Sequence, residues 1–380
     1  PLDVRAAGMG GTGVASAKAG SAALFNPAML SAQREGDKFQ FVLGLGGLVA
    51  DEGEMFDEVD SMQDSIDDFN AAVDATNTAQ IQASGNEILA SLNTINNKLL
   101  TGELGATLGV GVPNRKLGVG VFVSGNAFLL GSPTITGDDT AYFQNAINNP
   151  GTVTTNYEDL PGTHEKSTVT GIAVSIAEYG VALSRRFELA SGATLDAGVT
   201  PKAVSVSTFE YTASVDNFDE DDIEDFETTD SGFGLDAGVV YRTSAESPWQ
   251  FGLVAKNLVG SDYKTNPNIG APRTIELATQ VRAGAAYTTK SENSYFFVFL
   301  AASSTQNLGN IPETRINGFE LEATARVLPD FDINAAIGYT DSEIKAFPDR
   351  TVIGNEDPQI SRYTINLGAQ YAGPISDSLD

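Results

Sequence analysis

Alternation of apolar and polar residues dominates the chain and is clearest in the stretch 317–340, NGFELEATARVLPDFDINAAIGYT. Phe319, Leu321, Ala323, Ala325 and Val327 share one face of its first arm, and Glu320, Glu322, Thr324 and Arg326 share the other. In the second arm Phe331, Ile333, Ala335, Ile337 and Tyr339 oppose Asp332, Asn334, Ala336, Gly338 and Thr340. A period of two predicts a β-hairpin, turning at Leu328, Pro329 and Asp330, with one apolar and one polar face. Each arm is about ten residues long, which is the length a tilted strand needs to cross a bilayer.

The same period recurs along the chain and predicts about twelve strands in all. The first covers 39–50, and further pairs cover 103–112 with 117–129, 172–188 with 193–211, 232–242 with 249–260, and 275–287 with 294–303. Short links at 113–116, 189–192, 243–248 and 288–293 alternate with long ones at 130–169, 215–230 and 261–273. That alternation is expected of an all-β, transmembrane, antiparallel barrel of the bacterial outer membrane, with short periplasmic turns and long outer loops. The faces agree with it. Ile275, Leu277, Thr279, Val281, Ala283, Ala285 and Tyr287 are predicted to face lipid, opposite Glu276, Gln280 and Arg282. The charges predicted to line the lumen are Asp236, Arg242, Lys256, Glu276, Arg282, Glu320, Glu322, Arg326, Asp332 and Arg362. They carry both signs, which suits a wet, salt-bridged filling and equally a path for polar solutes. Phe187, Tyr241, Trp249, Tyr287, Tyr339, Tyr363 and Tyr371 fall near strand ends, where aromatic girdles mark the membrane interfaces.

One segment breaks the period. Met55, Val59, Met62, Ile66, Phe69 and Val73 recur at spacings of three and four, as do Ile88, Leu92, Ile95 and Leu99, so 54–100 predicts two amphipathic helices. Such a pair either packs together to cap a barrel end or forms a separate partner-binding module.

Composition narrows the chemistry. Asp and Glu number 50 against 22 Lys and Arg, giving a net charge of −28, so no nucleic-acid partner is expected. The absence of cysteine removes disulfides and thiolate sites. No apolar run approaches the roughly 18 residues of a membrane helix, and a secretory signal ahead of Pro1 is expected to have been removed or never supplied. The acidic run 216–227, DNFDEDDIEDFE, lacks the glycine-centred spacing of a calcium loop and is expected to be a solvated outer loop, with loose divalent bridging to lipopolysaccharide as the alternative. No metal site or cofactor is expected. His164, the sole histidine, lies in the polar stretch 161–166 and is expected to be exposed. With no second base and no Gly-x-Ser-x-Gly elbow, no enzyme activity is expected.

The N-terminal segment 5–30, RAAGMGGTGVASAKAGSAALFNPAML, is small, apolar and rich in glycine. Gly8, Gly10 and Gly13 match a dinucleotide-binding fingerprint, but no βαβ unit surrounds them, so close backbone packing is the plainer reading. The AAGMGGTGVA start followed by Asn26-Pro27-Ala28 resembles the hatch of the fatty-acid-transporter (FadL-type) superfamily of outer-membrane barrels. Over about 1–288 the chain is most similar to the TraF-like conjugal-transfer branch. The resemblance implies a plug over 1–38, with Gly8, Gly10, Gly11, Gly13, Asn26 and Pro27 at the plug or gate. It also implies a barrel over 39–288 with the helical insertion 54–100 as an outer loop. From about 289 the chain changes likeness. TRINGFELEATARVLPDFDINAAIGYTDSEIK and SRYTINLGAQYAGP resemble late barrel strands of a TonB-dependent receptor, without that receptor's plug at the N-terminus. The chain stops at Ser378-Leu379-Asp380, so closing strands beyond it are expected if the barrel is to end on an aromatic residue.

These features imply passive uptake of small hydrophobic or amphipathic solutes, with outer-membrane lipid and lipopolysaccharide as surroundings. A sealed envelope barrel tied to conjugation and a fragment of a TonB-dependent receptor are the alternatives. A soluble sandwich is disfavoured, because strands of about ten alternating residues exceed the usual five or six.

Overall fold

Eight long antiparallel strands form one curled sheet, paired in the order β1-β2-β3-β4-β5-β6-β7-β10. They are β1 (Gln40–Asp51), β2 (Leu100–Val112), β3 (Gly118–Thr134), β4 (Thr168–Glu188), β5 (Thr194–Ser214), β6 (Glu227–Arg242), β7 (Trp249–Lys256) and β10 (Gln280–Tyr287). A second sheet of β11 (Ser294–Phe299), β12 (Thr314–Leu328), β13 (Phe331–Ile344) and β14 (Tyr363–Tyr371) pairs in chain order, and β8 (Ser261–Lys264) pairs with β9 (Thr274–Leu277). The computed structural model describes residues 13–33, 39–51, 54–218, 225–287, 294–299, 314–328, 331–344 and 363–371. The hairpin foreseen at 317–340 forms β12 and β13, with Phe319 opposite Tyr339 and a register shift between Arg326 and Leu328.

The sheet turns an apolar face outward. Phe41, Leu43, Leu45 and Val49 on β1, Leu104 and Leu108 on β2, Val121 and Val123 on β3, and Phe233 on β6 are all exposed. From Phe41 to Val49 this belt runs about 26 Å at roughly 3.3 Å per residue, which matches the apolar band of a membrane barrel. At the short-turn end it closes on a row of aromatics. Trp249 stands beside Tyr287 at 4.8 Å and Phe251 at 6.2 Å, and Phe187 and Tyr241 lie on the same row through Leu195. Among the described residues no helix is long and apolar enough to cross a membrane.

Strands β3 to β5 continue past this belt, and there helices cover their outer face. α3 (Met55–Asp74) and α4 (Thr78–Ile95) are the two foreseen amphipathic helices, and α5 (Gly137–Asn148) lies in the connection from β3 to β4, where the sequence suggested only a loop. Met62, Ile66, Phe69, Ile88, Leu92 and Phe143 form the core of this subdomain, and Leu100, Val169 and Val215 join it from the strands. The helices therefore pack on one another and on the strand extensions, which makes them part of one body with the sheet.

The subdomain also holds the lone histidine, and here the sequence expectation is corrected. His164 is half-buried, with its Nε2 2.7 Å from Oδ1 of the fully buried Asp139. Asp139 Oδ2 accepts from the Tyr157 hydroxyl at 2.8 Å and from the Ser167 amide at 2.6 Å. Thr136 caps α5 through the Asp139 amide, so the carboxylate is fixed at the helix start. Burial pushes the Tyr142 phenol up to about 12, and burial followed by the Asp139 carboxylate pushes Tyr157 up as well. Both phenols hold their protons more tightly in the folded subdomain than in an unfolded chain, where they ionise near pH 10. The folded state then binds more protons above pH 10, so stability falls as pH rises from about 10 towards 12. Absorbance titration at 295 nm should show a tyrosine fraction ionising well above pH 10, together with loss of helical circular dichroism.

Another difference lies at the β7–β10 connection. The alternation across 275–287 runs unbroken and predicts one strand, but the structure divides it. Asn257 takes a left-handed conformation (φ 54°) directly after β7, and its amide donates to Asp236 Oδ1 at 2.8 Å. The chain then leaves the sheet and forms the β8–β9 hairpin along the inner face of β5. Tyr263 and Ile275 are buried there against Val204 and Val206, so Ile275 points inward instead of to lipid. Arg273 pairs with Glu210, and Asn268 exchanges two bonds with Thr212.

Candidate functional site

The inner face of the curled sheet is filled at its short-turn end by residues 13–33. α1 (Ala19–Phe25) and α2 (Met29–Ala32) are almost wholly buried, and their small side chains let them approach the wall closely. Inner-face glycines complete the fit. A Cβ on Gly111 would lie 1.9 Å from the Ala19 carbonyl oxygen, and one on Gly252 would lie 2.4 Å from that of Val14. A side chain at either position would collide with the backbone of the inner segment.

Polar side chains then fasten the segment. Asn26 Nδ2 donates to Val14 O at 2.8 Å and to Val239 O at 3.3 Å, while its Oδ1 accepts from Ala28 N at 3.1 Å. Arg242 donates to Ala32 O at 2.6 Å and also to Gln250, which in turn donates to Ala15 O. Lys256 Nζ donates to Leu24 O at 3.0 Å, and the Asn114 amide donates to Leu30 O at 3.2 Å. Pro27 packs against Gly198 of β5.

Directly beyond α1 lies a charged layer. Lys202 Nζ stands 2.6 Å from Glu178 Oε1, 3.1 Å from Asp236 Oδ1 and 2.7 Å from Asn257 Oδ1. Lys256 reaches Asp236 at 4.0 Å, and Arg282 donates to Gln280 at 2.9 Å. Register explains the grouping, because Thr107, Ser124 and Glu178 lie on one rung, Gly180 opposes Lys202, and Thr200 opposes Asp236. The buried hydroxyls of Thr107, Ser124 and Thr200 have no partner among the described atoms, so the layer keeps free hydrogen-bonding capacity. Nearer the short turns Arg186 grips Asp196 through two bonds of 3.0 Å.

Of the predicted lumen charges, Asp236, Lys256 and Arg282 meet in this layer, and Arg242 lies below it as a tether of the inner segment. Glu276 stands elsewhere, exposed on β9, because the hairpin removes it from the wall. The side chains of Glu320, Glu322, Arg326 and Asp332 lie outside what is described, as do Arg362, Gly8, Gly10 and Gly11. Gly13 packs against the Phe25 ring. Sequence reasoning missed Glu178, Lys202, Arg186 and Asp196. Their signal was available, since all four sit at even positions on β4 and β5, opposite the apolar odd positions.

An apolar belt with an aromatic edge, wrapped round a charged interior, defines an outer-membrane β-barrel protein, and the bacterial outer membrane is its location. A family model described as the F plasmid transfer operon TraF protein matches residues 23–301, and the chain belongs to that family. A second model, the TonB dependent receptor-like beta-barrel, matches 279–379. Among solved structures, a deltaS2 mutant of the TodX monoaromatic hydrocarbon channel has a TM-score of 0.50 at 13% identity, covering 98% of this chain and 89% of that one. The Pseudomonas putida toluene transporter TodX gives 0.44 at 11% identity, covering 97% and 88%. The ferric yersiniabactin uptake receptor FyuA from Yersinia pestis gives 0.36 at 14% identity, with 72% of this chain spanning 40% of the receptor. No curated protein matches the chain.

Proposed function

We propose that the protein admits small hydrophobic or amphipathic solutes passively across the outer membrane, with residues 1–38 as the gate in the path. The observation that carries this reading is how 13–33 is held. It joins no strand pairing and contacts the wall through side-chain tethers and backbone laid against glycine. A segment held in that way can leave without breaking the sheet. TodX, a hydrocarbon channel of similar fold, suggests the probe. Cells making this chain are expected to take up a monoaromatic hydrocarbon several-fold faster than cells without it, and deletion of 1–38 is expected to add a leak to small sugars. Equal hydrocarbon uptake with and without the protein would sink the proposal.

A sealed barrel tied to conjugation is the second reading. It is favoured by the charged layer, where Lys202 is bonded on three sides, and by the β8–β9 hairpin that occupies further inner space. On that reading, removal of 54–100 abolishes partner binding and leaves permeability unchanged.

A further inference from the structure

Within the apolar belt of β1 to β7 and β10, the outward positions carry a single charge, Arg185 on β4. It lies between Leu183 and Phe187, one outward position inside the aromatic row at the short-turn end. A cation on the lipid face is costly at mid-membrane and nearly free of cost at the interface, so its depth is tolerable only if the guanidinium reaches back to headgroup level. The guanidinium bends towards the short-turn end, lying over the Phe187 ring at 5.8 Å. Arg185 has no carboxylate partner among the described residues.

Beside it the wall is hollow. Ala197 opposes Arg185 across the β4–β5 pair, and Ala237 and Ala255 continue a floor of small residues through β6 and β7. Leu183, Val199 and Leu253 stand around this depression, which is shallow and open to the surroundings, measures about 640 Å³ and is almost wholly apolar. A shallow apolar depression bordered at one end by a guanidinium with no carboxylate partner among the described residues suits an acyl chain joined to a phosphate. Arg is suited to that group because its planar fork donates two parallel hydrogen bonds to phosphate oxygens. The short turns mark the periplasmic side, where the leaflet is made of phospholipid.

We propose that Arg185 and this depression form a binding site for one phospholipid of the periplasmic leaflet. The guanidinium holds the phosphate, and one acyl chain lies over Ala197, Ala237 and Ala255. The site does not depend on whether the interior conducts.

The test is native mass spectrometry of the refolded, delipidated full chain, titrated with dioleoyl phosphatidylglycerol or with dioleoylglycerol, which has the same chains and no phosphate. The wild type is expected to retain one phosphatidylglycerol and to bind dioleoylglycerol far more weakly. Arg185→Gln should weaken phosphatidylglycerol binding roughly tenfold to a hundredfold. Ala197→Leu, which keeps the cation and fills the floor, should weaken binding of both lipids. Equal affinity of wild type and Arg185→Gln, or equal affinity for the two lipids, would overturn the site, and full affinity in Ala197→Leu would remove the trough from it. Should Arg185→Gln not fold, Arg185→Lys takes its place, with partial loss expected and no loss contradicting the proposal.

Discussion

Replacing Lys202 by Met is expected to destabilise the folded protein by about 3–5 kcal/mol, the cost of breaking a buried ion pair from one side. Lys202 is the only cation within 3.5 Å of both Glu178 and Asp236 among the described residues, and its own side chain is 1% exposed. Without it the two carboxylates face each other across the interior, with Lys256 at 4.0 Å from Asp236 as the nearer remaining cation. Met fills much of the same volume, so the loss reports charge and hydrogen bonding more than packing. Denaturant unfolding in detergent micelles measures it as a lowered midpoint. Adding Asp236→Asn to Lys202→Met should recover part of the loss, because the second change removes one of the stranded charges, and the two effects should be clearly non-additive. A midpoint unchanged in Lys202→Met would mean that this layer is open to water and holds nothing together.

The second large effect is expected from Gly111→Val. Its Cβ would fall 1.9 Å from Ala19 O and 2.4 Å from Ala19 C, both backbone atoms of α1, so α1 must leave the wall for the variant to fold. Gly111 pairs with Gln40 on one side and Gly120 on the other, and neither pairing needs glycine, so the sheet should survive. The variant should therefore still fold but admit small sugars several-fold faster in a vesicle-swelling assay. Gly151→Ala, at a position with open space around it, is the matched control and should leave the rate unchanged. Wild-type impermeability in Gly111→Val would show that 13–33 does not close the path, and the gate would have to be sought in the β8–β9 hairpin.

The strands were legible because lipid and a filled interior impose a strict period of two, which survives even where residues are as small as Ala237 or Gly238. The helices α3 and α4 were legible for the same kind of reason, through spacings of three and four. What stayed hidden depended on a single residue or on distant pairing. Nothing in the alternation from Ile275 to Tyr287 marks the break, which follows from the left-handed Asn257 and from Tyr263 and Ile275 finding Val204 and Val206 on another strand. α5 is short, and its only fully buried apolar side chains are Phe143 and Ala146, too few to stand out in a polar stretch. His164 looked solvent-exposed because its partner, Asp139, lies in a different part of the same connection. Candidate site residues fared similarly. Asn26 could be named as a residue of the inner segment, whereas Lys202 and Glu178 are grouped only once register places them beside Asp236.

The sheet crosses the outer membrane with its apolar face to lipid. Gel mobility of the protein refolded in detergent, with and without boiling, tests that most directly. A shift of mobility on boiling, together with strand-dominated circular dichroism before it, is the predicted result. Identical mobility in both samples, or a chain that stays folded and soluble with no detergent at all, would contradict it.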